Sequence, residues 1–92
     1  MDITRRVREF ILSNFYVTDA EGLSDADSLL SLGIVDSTGI LEVIGFLEEE
    51  FAIVVEDEDA TPANLESIER IAAFVSRKVS ERVPEPMRSA EG

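Results

Sequence analysis

The run "GIVDSTGILEVIGFLEEEF", Gly33 to Phe51, places a hydroxyl beside a carboxylate at the head of an apolar-periodic segment. Asp36, Ser37 and Thr38 are all residue types favoured at a helix N-cap. There a side-chain oxygen accepts a backbone N–H and stabilises the helix by about 1 kcal/mol. A helix N-terminus also favours a phosphate, through its free N–H groups and its dipole. Ser37 therefore has two readings: it caps the helix, or the helix presents its hydroxyl for a phosphodiester. The motif by itself leaves both open.

Other chemistries are narrowed by what the chain lacks. There is no cysteine and no histidine, so neither a Ser–His nor a Cys–His nucleophile pair can form within it. The commonest zinc ligand is missing as well. Catalysis by carboxylates alone would need a pair of acids in an apolar pocket, and no such pair is visible. Any reactive group the protein handles is expected to come from something attached to it. The acids of "TDAEGLSDADSLLSLGIVD" do not make a calcium loop. Counted from Asp19, Leu23 and Ser24 fall where an EF-hand needs a ligand and its glycine.

The elements that must position Ser37 are readable from periodicity. Ile3, Val7, Phe10, Ile11 and Phe15 mark one face of an amphipathic helix across Asp2 to Val17, with Arg5, Arg6 and Arg8 facing water. The Asp-, Ser- and Gly-rich stretch that follows is long for a structureless connection. It predicts a short helical turn held by Leu29, Leu32 and Ile34. A second helix is expected over Ser37 to Phe51. At about 100° per residue, Ile40, Val43, Ile44, Leu47 and Phe51 gather as its core face, and Thr38, Glu42, Gly45 and Glu49 lie opposite. Leu41 and Glu48 share one border, and Phe46 lies near the other.

"FAIVV" has strand propensity but no convincing partner. Thr61-Pro62 suits the start of a short helix, with proline near its first position. Ser67 can cap a last helix whose apolar positions are Ile68, Ile71, Ala72, Val75 and Val79. Arg77, Lys78 and Arg82 lie towards its end, where cations suit the dipole. The expected fold is all-α: a four-helix bundle of three longer helices and one short third helix, with a long first loop. Residues 1–82 form one domain and 83–92, with two prolines, form a flexible tail.

A chain of 92 residues is one small domain, burying roughly 60–65% of its unfolded surface. Its longest apolar run is far below the ~20 residues of a membrane span. "MDITRRVREFIL" lacks the apolar core and cleavage site of a secretory signal, so a cytoplasmic location is expected. The net charge is −12, and all eight basic residues lie outside Glu9 to Glu69, a stretch holding sixteen acids. Such a surface repels nucleic acid and draws basic protein patches.

Taken whole, "GIVDSTGILEVIGFLEEEF" resembles the prosthetic-group attachment region of acyl carrier proteins and peptidyl carrier domains. "TPANLESIERIAAFV" resembles their short third helix and the opening of the fourth. The resemblance covers about residues 3 to 80. A second Asp-Ser-Leu, at Asp27-Ser28-Leu29, is set aside because Gly33 and Asp36 interrupt any long helix beginning there, whereas Ser37 is followed by helix-compatible residues.

The resemblance implies that a phosphopantetheinyl transferase attaches 4′-phosphopantetheine, taken from coenzyme A, to Ser37, with Asp36 helping to present the serine. The chain would then be a monomeric carrier and not an enzyme. It would take acyl or aminoacyl cargo as a thioester from an activating ligase. It would deliver that cargo in fatty acid, polyketide, nonribosomal peptide or related biosynthesis. Thr38, Leu41, Glu42, Glu48 and Glu49 match positions that contact partners. Thr38 and Gly45 stand where the family more often has large apolar residues, which favours a specialised stand-alone carrier over a partner of ordinary fatty-acid synthase. Gly45 implies close approach by a partner or an unusual core. The competing class is an unmodified acidic helical adaptor that binds a basic protein and uses Ser37 only as a cap.

Overall fold

The computed structural model describes residues 2–82; the tail expected at 83–92 lies outside the described residues. Among them the chain forms four α-helices, α1 (Ile3–Asn14), α2 (Ser37–Phe51), α3 (Pro62–Leu65) and α4 (Ile68–Arg82), with a 3-10 turn at Asp57–Asp59 and no strand. This is the all-helical bundle with a long first loop that periodicity predicts. No helix of the described residues is long and apolar enough to cross a membrane.

Helix α1 starts where the Asp2 carboxylate accepts the Arg5 N–H at 3.0 Å. It ends three residues before the expected Val17. At Phe15 the backbone turns extended, its N–H still bonded to the Ile11 carbonyl. The Asn14 side-chain amide takes the Phe10 carbonyl, so the helix end is satisfied from within. Val7 and Ile11 are buried, and α1 packs along α4. The ring of Phe10 stacks on Phe46 of α2, centroids 4.1 Å apart.

The first loop corrects two expectations. Leu29 is buried, but Leu32 is 57% exposed, and the other deep loop anchors are Leu23 and Val35. Ile34 is half-buried, and in place of the expected helical turn the loop has isolated turn bonds, among them Leu32 N–H to the Ser28 carbonyl and Gly33 N–H to the Leu30 carbonyl. Arg8 does not simply face water. Its guanidinium binds the Asp25 carboxylate at 2.9 Å and donates to the carbonyls of Ala20 and Leu23 at 2.8 Å each. Two backbone bonds, Leu29 N–H to Glu66 O and Glu69 N–H to Asp25 O, fix the loop to the α3–α4 junction. Gly33 has φ +76°, a conformation glycine adopts without strain. It turns the chain towards α2.

After α2, Ala52 adopts a left-handed conformation (φ 55°, ψ 45°), which costs a non-glycine residue about 1 kcal/mol. Phe51 of the "FAIVV" run ends α2, and the rest of the run is irregular and not a strand. Phe51 and Ile53 are buried while Val54 is exposed. The acids that follow form the 3-10 turn at Asp57–Asp59. The Asp59 carboxylate accepts the Glu56 N–H at 3.1 Å and pairs with Lys78 at 3.0 Å. Helix α3 begins with Pro62 at its first turn, as expected, and buries Leu65. Ser67 caps α4 by accepting the Arg70 N–H at 3.1 Å. Ile68, Ile71, Phe74 and Val75 of α4 are fully buried and form the floor on which the other helices rest.

Candidate functional site

Asp36, not Ser37, holds the cap of α2. Its carboxylate accepts the Gly39 N–H at 2.8 Å, and its backbone is extended (φ −109°, ψ −170°). Ser37 is thereby the first helical residue, exposed, and its hydroxyl is not needed to close the helix. The Asp36 carbonyl takes the Ile40 N–H. The N–H groups of Ser37 and Thr38 remain, like those at any helix start, without a helical acceptor. A phosphate joined to the Ser37 oxygen would sit beside these donors and the positive end of the helix dipole. The residues present fit such a group.

The head of α2 is held by packing that the sequence reading missed. Gly39 is buried, and a Cβ there would lie 2.8 Å from Cε1 of Phe15 and 3.2 Å from Cγ1 of Val35. Only hydrogen fits without displacement. The available signal was Phe15 continuing the apolar face of α1 beyond the residues that stay helical. Once the chain turns at Phe15, its ring needs a shallow spot, and Gly39 supplies it.

Beside Ser37 lies a cleft of about 170 Å³ lined by Leu30, Ile40, Ala60, Thr61, Pro62 and Leu65. That is below the roughly 300–1,000 Å³ of a pocket for a drug-sized ligand.

The side chains of α2 divide into two outward stripes. Ser37, Leu41 and Glu48 follow one, Thr38, Glu42, Gly45 and Glu49 the other. Leu41 is 68% exposed, one turn from Ser37, and forms an apolar spot beside the hydroxyl. Thr38, Glu42 and Glu49 are exposed. Glu48 is half-buried, and its carboxylate accepts the Val55 N–H at 3.0 Å, tying down the segment that leaves the helix. Glu50 is paired with Arg6 of α1. Among the described residues only Glu42 and Glu49 of the α2 carboxylates have no hydrogen bond or ion pair. Gly45 is exposed, with nothing within 4 Å of where its Cβ would stand. The unusual-core option for it is removed.

Ser28, the other serine in an Asp-Ser-Leu triplet, is half-buried in a turn. Its hydroxyl accepts the Ser31 N–H at 3.1 Å. The described residues hold no group of three or more acids placed to share a metal ion.

No family model matches the chain. It is 32% identical over 81 residues to an acyl carrier protein of Solidesulfovibrio magneticus, an alignment covering 88% of this chain and 100% of the relative. It is 30% identical over 67 residues to the probable acyl carrier protein PigG of a Serratia species, covering 73% and 77% of the two chains.

Proposed function

The chain belongs to the acyl carrier protein family, and from that premise we propose that Ser37 is the attachment site for 4′-phosphopantetheine and that the protein carries acyl or aminoacyl groups between enzymes. The observation that carries this reading is the division of labour at the head of α2. Asp36 does the capping, and an exposed serine at the first helical position is left for chemistry.

A transferase would join the Ser37 oxygen to the phosphate next to the pantetheine arm of coenzyme A. That step breaks the pyrophosphate link, releases adenosine 3′,5′-bisphosphate and passes the serine proton to a base. The attached group supplies the thiol this cysteine-free chain lacks, and cargo is held on it as a thioester. The protein's own residues hold and orient. Asp36 fixes Ser37 at the helix start, and Gly39 seats that start against Phe15. Leu41, Glu42 and Glu49 offer an apolar and acidic surface to basic patches on the transferase, the loading ligase and downstream enzymes. Glu48 belongs to the same surface, although its hydrogen bond to Val55 gives it a structural task as well. The small cleft suits a short apolar cargo.

The adaptor reading uses Ser37 only as a cap, and it is Asp36 that accepts the Gly39 N–H, which favours the carrier reading. The chain acts as a substrate and partner of enzymes and not as a catalyst, and a cytoplasmic monomer fits this role.

Incubation with coenzyme A and a broad-specificity phosphopantetheinyl transferase, followed by intact-mass measurement, tests the reading. One phosphopantetheinyl increment on the wild type and none on Ser37→Ala is expected. A wild type that stays unmodified while its helices are intact by circular dichroism, or a Ser37→Ala that is still loaded, overturns it.

A further inference from the structure

A second cleft, of about 380 Å³, opens in the first loop. It falls within the roughly 300–1,000 Å³ of small-molecule sites, which the 170 Å³ cleft beside Ser37 does not. Val17, Leu23 and Ile34 give it an apolar lining, together with the exposed Tyr16 and Leu32. Its charge comes from Asp19 and Asp27. Each carboxylate uses one oxygen inside the loop, Asp19 on the Gly22 N–H at 3.0 Å and Asp27 on the Ser24 N–H at 2.8 Å. Among the described residues their other oxygens accept no hydrogen bond, and no cation pairs with either. Arg8 reaches this loop, but it is held by Asp25 and the carbonyls of Ala20 and Leu23. The cleft lies at the Ser37 end of the molecule. Gly33, which lines it, is four residues before Ser37, a span of at most about 14 Å even when extended. Phe15, the neighbour of Tyr16, lies against Gly39 in the first turn of α2.

We propose that this loop cleft seats the cargo of the Ser37 arm, and that the cargo is an aminoacyl group with an apolar side chain. The inference rests on the carrier reading and narrows it to one class of cargo. An extended phosphopantetheine arm is longer than the span from Ser37 to Gly33, so the tether reaches. Tethering holds the cargo at an effective concentration in the millimolar range, and a weak site is then enough. The apolar side chain covers Val17, Leu32 and Ile34. The α-ammonium meets the free oxygens of Asp19 and Asp27 as charge-assisted hydrogen bonds, and the Tyr16 ring also attracts a cation. A plain acyl group would press apolar carbon on two carboxylates and give them no partner, which is unfavourable. Carboxylates beside the ammonium help it keep its proton, so the seated amine is no nucleophile towards another thioester.

The test follows the backbone amide signals of the ¹⁵N-labelled full-length protein. It is titrated with L-leucine N-ethylamide, which has the ammonium and the apolar side chain, and with 4-methylpentanoic acid N-ethylamide, which lacks only the amine. The first should shift signals centred on Thr18, Gly22, Leu32 and Gly33, an effect that weakens with salt. The second should bind at least about fivefold more weakly, corresponding to about 1 kcal/mol. Leu32→Lys, at an exposed position, sets a competing ammonium at the cleft and should weaken binding of the leucine amide by a similar factor. Asp19→Asn/Asp27→Asn removes both charges but keeps side-chain oxygens for the Gly22 and Ser24 N–H groups, and it should do the same. Circular dichroism checks that both variants are folded. Equal affinity for the two amides, unchanged affinity in either folded variant, or shifts spread evenly over all acidic segments each overturn the cleft. So does the lack of any localised shift at the millimolar concentrations a tether provides. Loading of Ser37, read by mass, is a separate outcome. A loaded Ser37 with no localised binding defeats the cleft alone, and localised binding on a chain that is never loaded defeats the carrier reading alone.

Discussion

Helix α2 carries two glycines six residues apart, and they live in opposite surroundings. Gly39 is buried under Phe15, where an added Cβ would be only 2.8 Å from the ring; Gly45 faces open space. The same division runs through the carboxylates. Glu48 and Glu50 are engaged by Val55 and Arg6, while Glu42 and Glu49 are not engaged at all among the described residues. The two edges of the outward face of α2 are thus tied into the fold, at Glu48 and Glu50, and the stripe of Glu42, Gly45 and Glu49 between them has no partner among the described residues. A residue that costs stability and has no internal use is the better pointer to a partner. Gly45, at about 1 kcal/mol relative to Ala, and the unpaired Glu42 and Glu49 are such residues.

Reversing charge on the open stripe of α2 and, as a control, on the 3-10 turn should break the comparison most visibly. With a broad-specificity transferase at low salt, Glu42→Lys/Glu49→Lys should lower kcat/KM for loading at least about tenfold, or about 1.4 kcal/mol. Asp57→Lys/Glu58→Lys, on the exposed 3-10 turn, should change it less than about threefold. Equal losses in both variants would mean that total charge, and not the α2 face, governs recognition.

The glycines give the next largest contrast. Gly39→Ala forces Phe15 aside, and overpacking of that kind costs about 1–3 kcal/mol, against about 1 kcal/mol gained in helix propensity. A net loss of about 1 kcal/mol should lower Tm by about 4–8 °C in a domain this size. Gly45→Ala meets no neighbour and should raise stability by up to about 1 kcal/mol. Thermal unfolding that shows the same sign for both variants would remove the distinction.

The smallest effect concerns a carboxylate engaged elsewhere in the fold, Asp59 of the 3-10 turn. The hydrogen bond from Lys78, with the Glu56 N–H adding to it, holds the Asp59 carboxyl below its ordinary 3.8. The contribution to stability is fully present above 3.8 and is lost as pH falls through the lowered folded value. Asp59→Asn should therefore be slightly less stable than wild type at neutral pH, and the gap should close in strong acid. A gap in denaturant midpoint that is constant with pH would mean that the Lys78 pair contributes nothing.

How much was legible in the sequence follows the same line between local and distant causes. The span of α2 could be read outright, because its apolar period and the Asp-Ser-Thr head are local. The same holds for Pro62 at the start of α3 and Ser67 at the start of α4. The work of Arg8 could not be read. Its acceptors include the carbonyls of Ala20 and Leu23, and backbone carbonyls carry no residue signature. Leu32, expected as an anchor, is exposed and Leu23 is buried in the loop, for a related reason. The path of the first loop is set by its bonds to the Glu66 carbonyl and from the Glu69 N–H across the molecule, not by its own spacing. At the site, Ser37 stood out beside Asp36, but which of the two caps the helix was decided by one residue of register.

The account depends on that register having a chemical purpose. Its most direct test is to load the protein from coenzyme A with a phosphopantetheinyl transferase, digest it with an acid-specific protease and sequence the fragments by tandem mass spectrometry. The account predicts a single phosphopantetheinyl group on Ser37 and an unmodified Ser28. The group found on Ser28, or both hydroxyls bare in a folded sample, would contradict it.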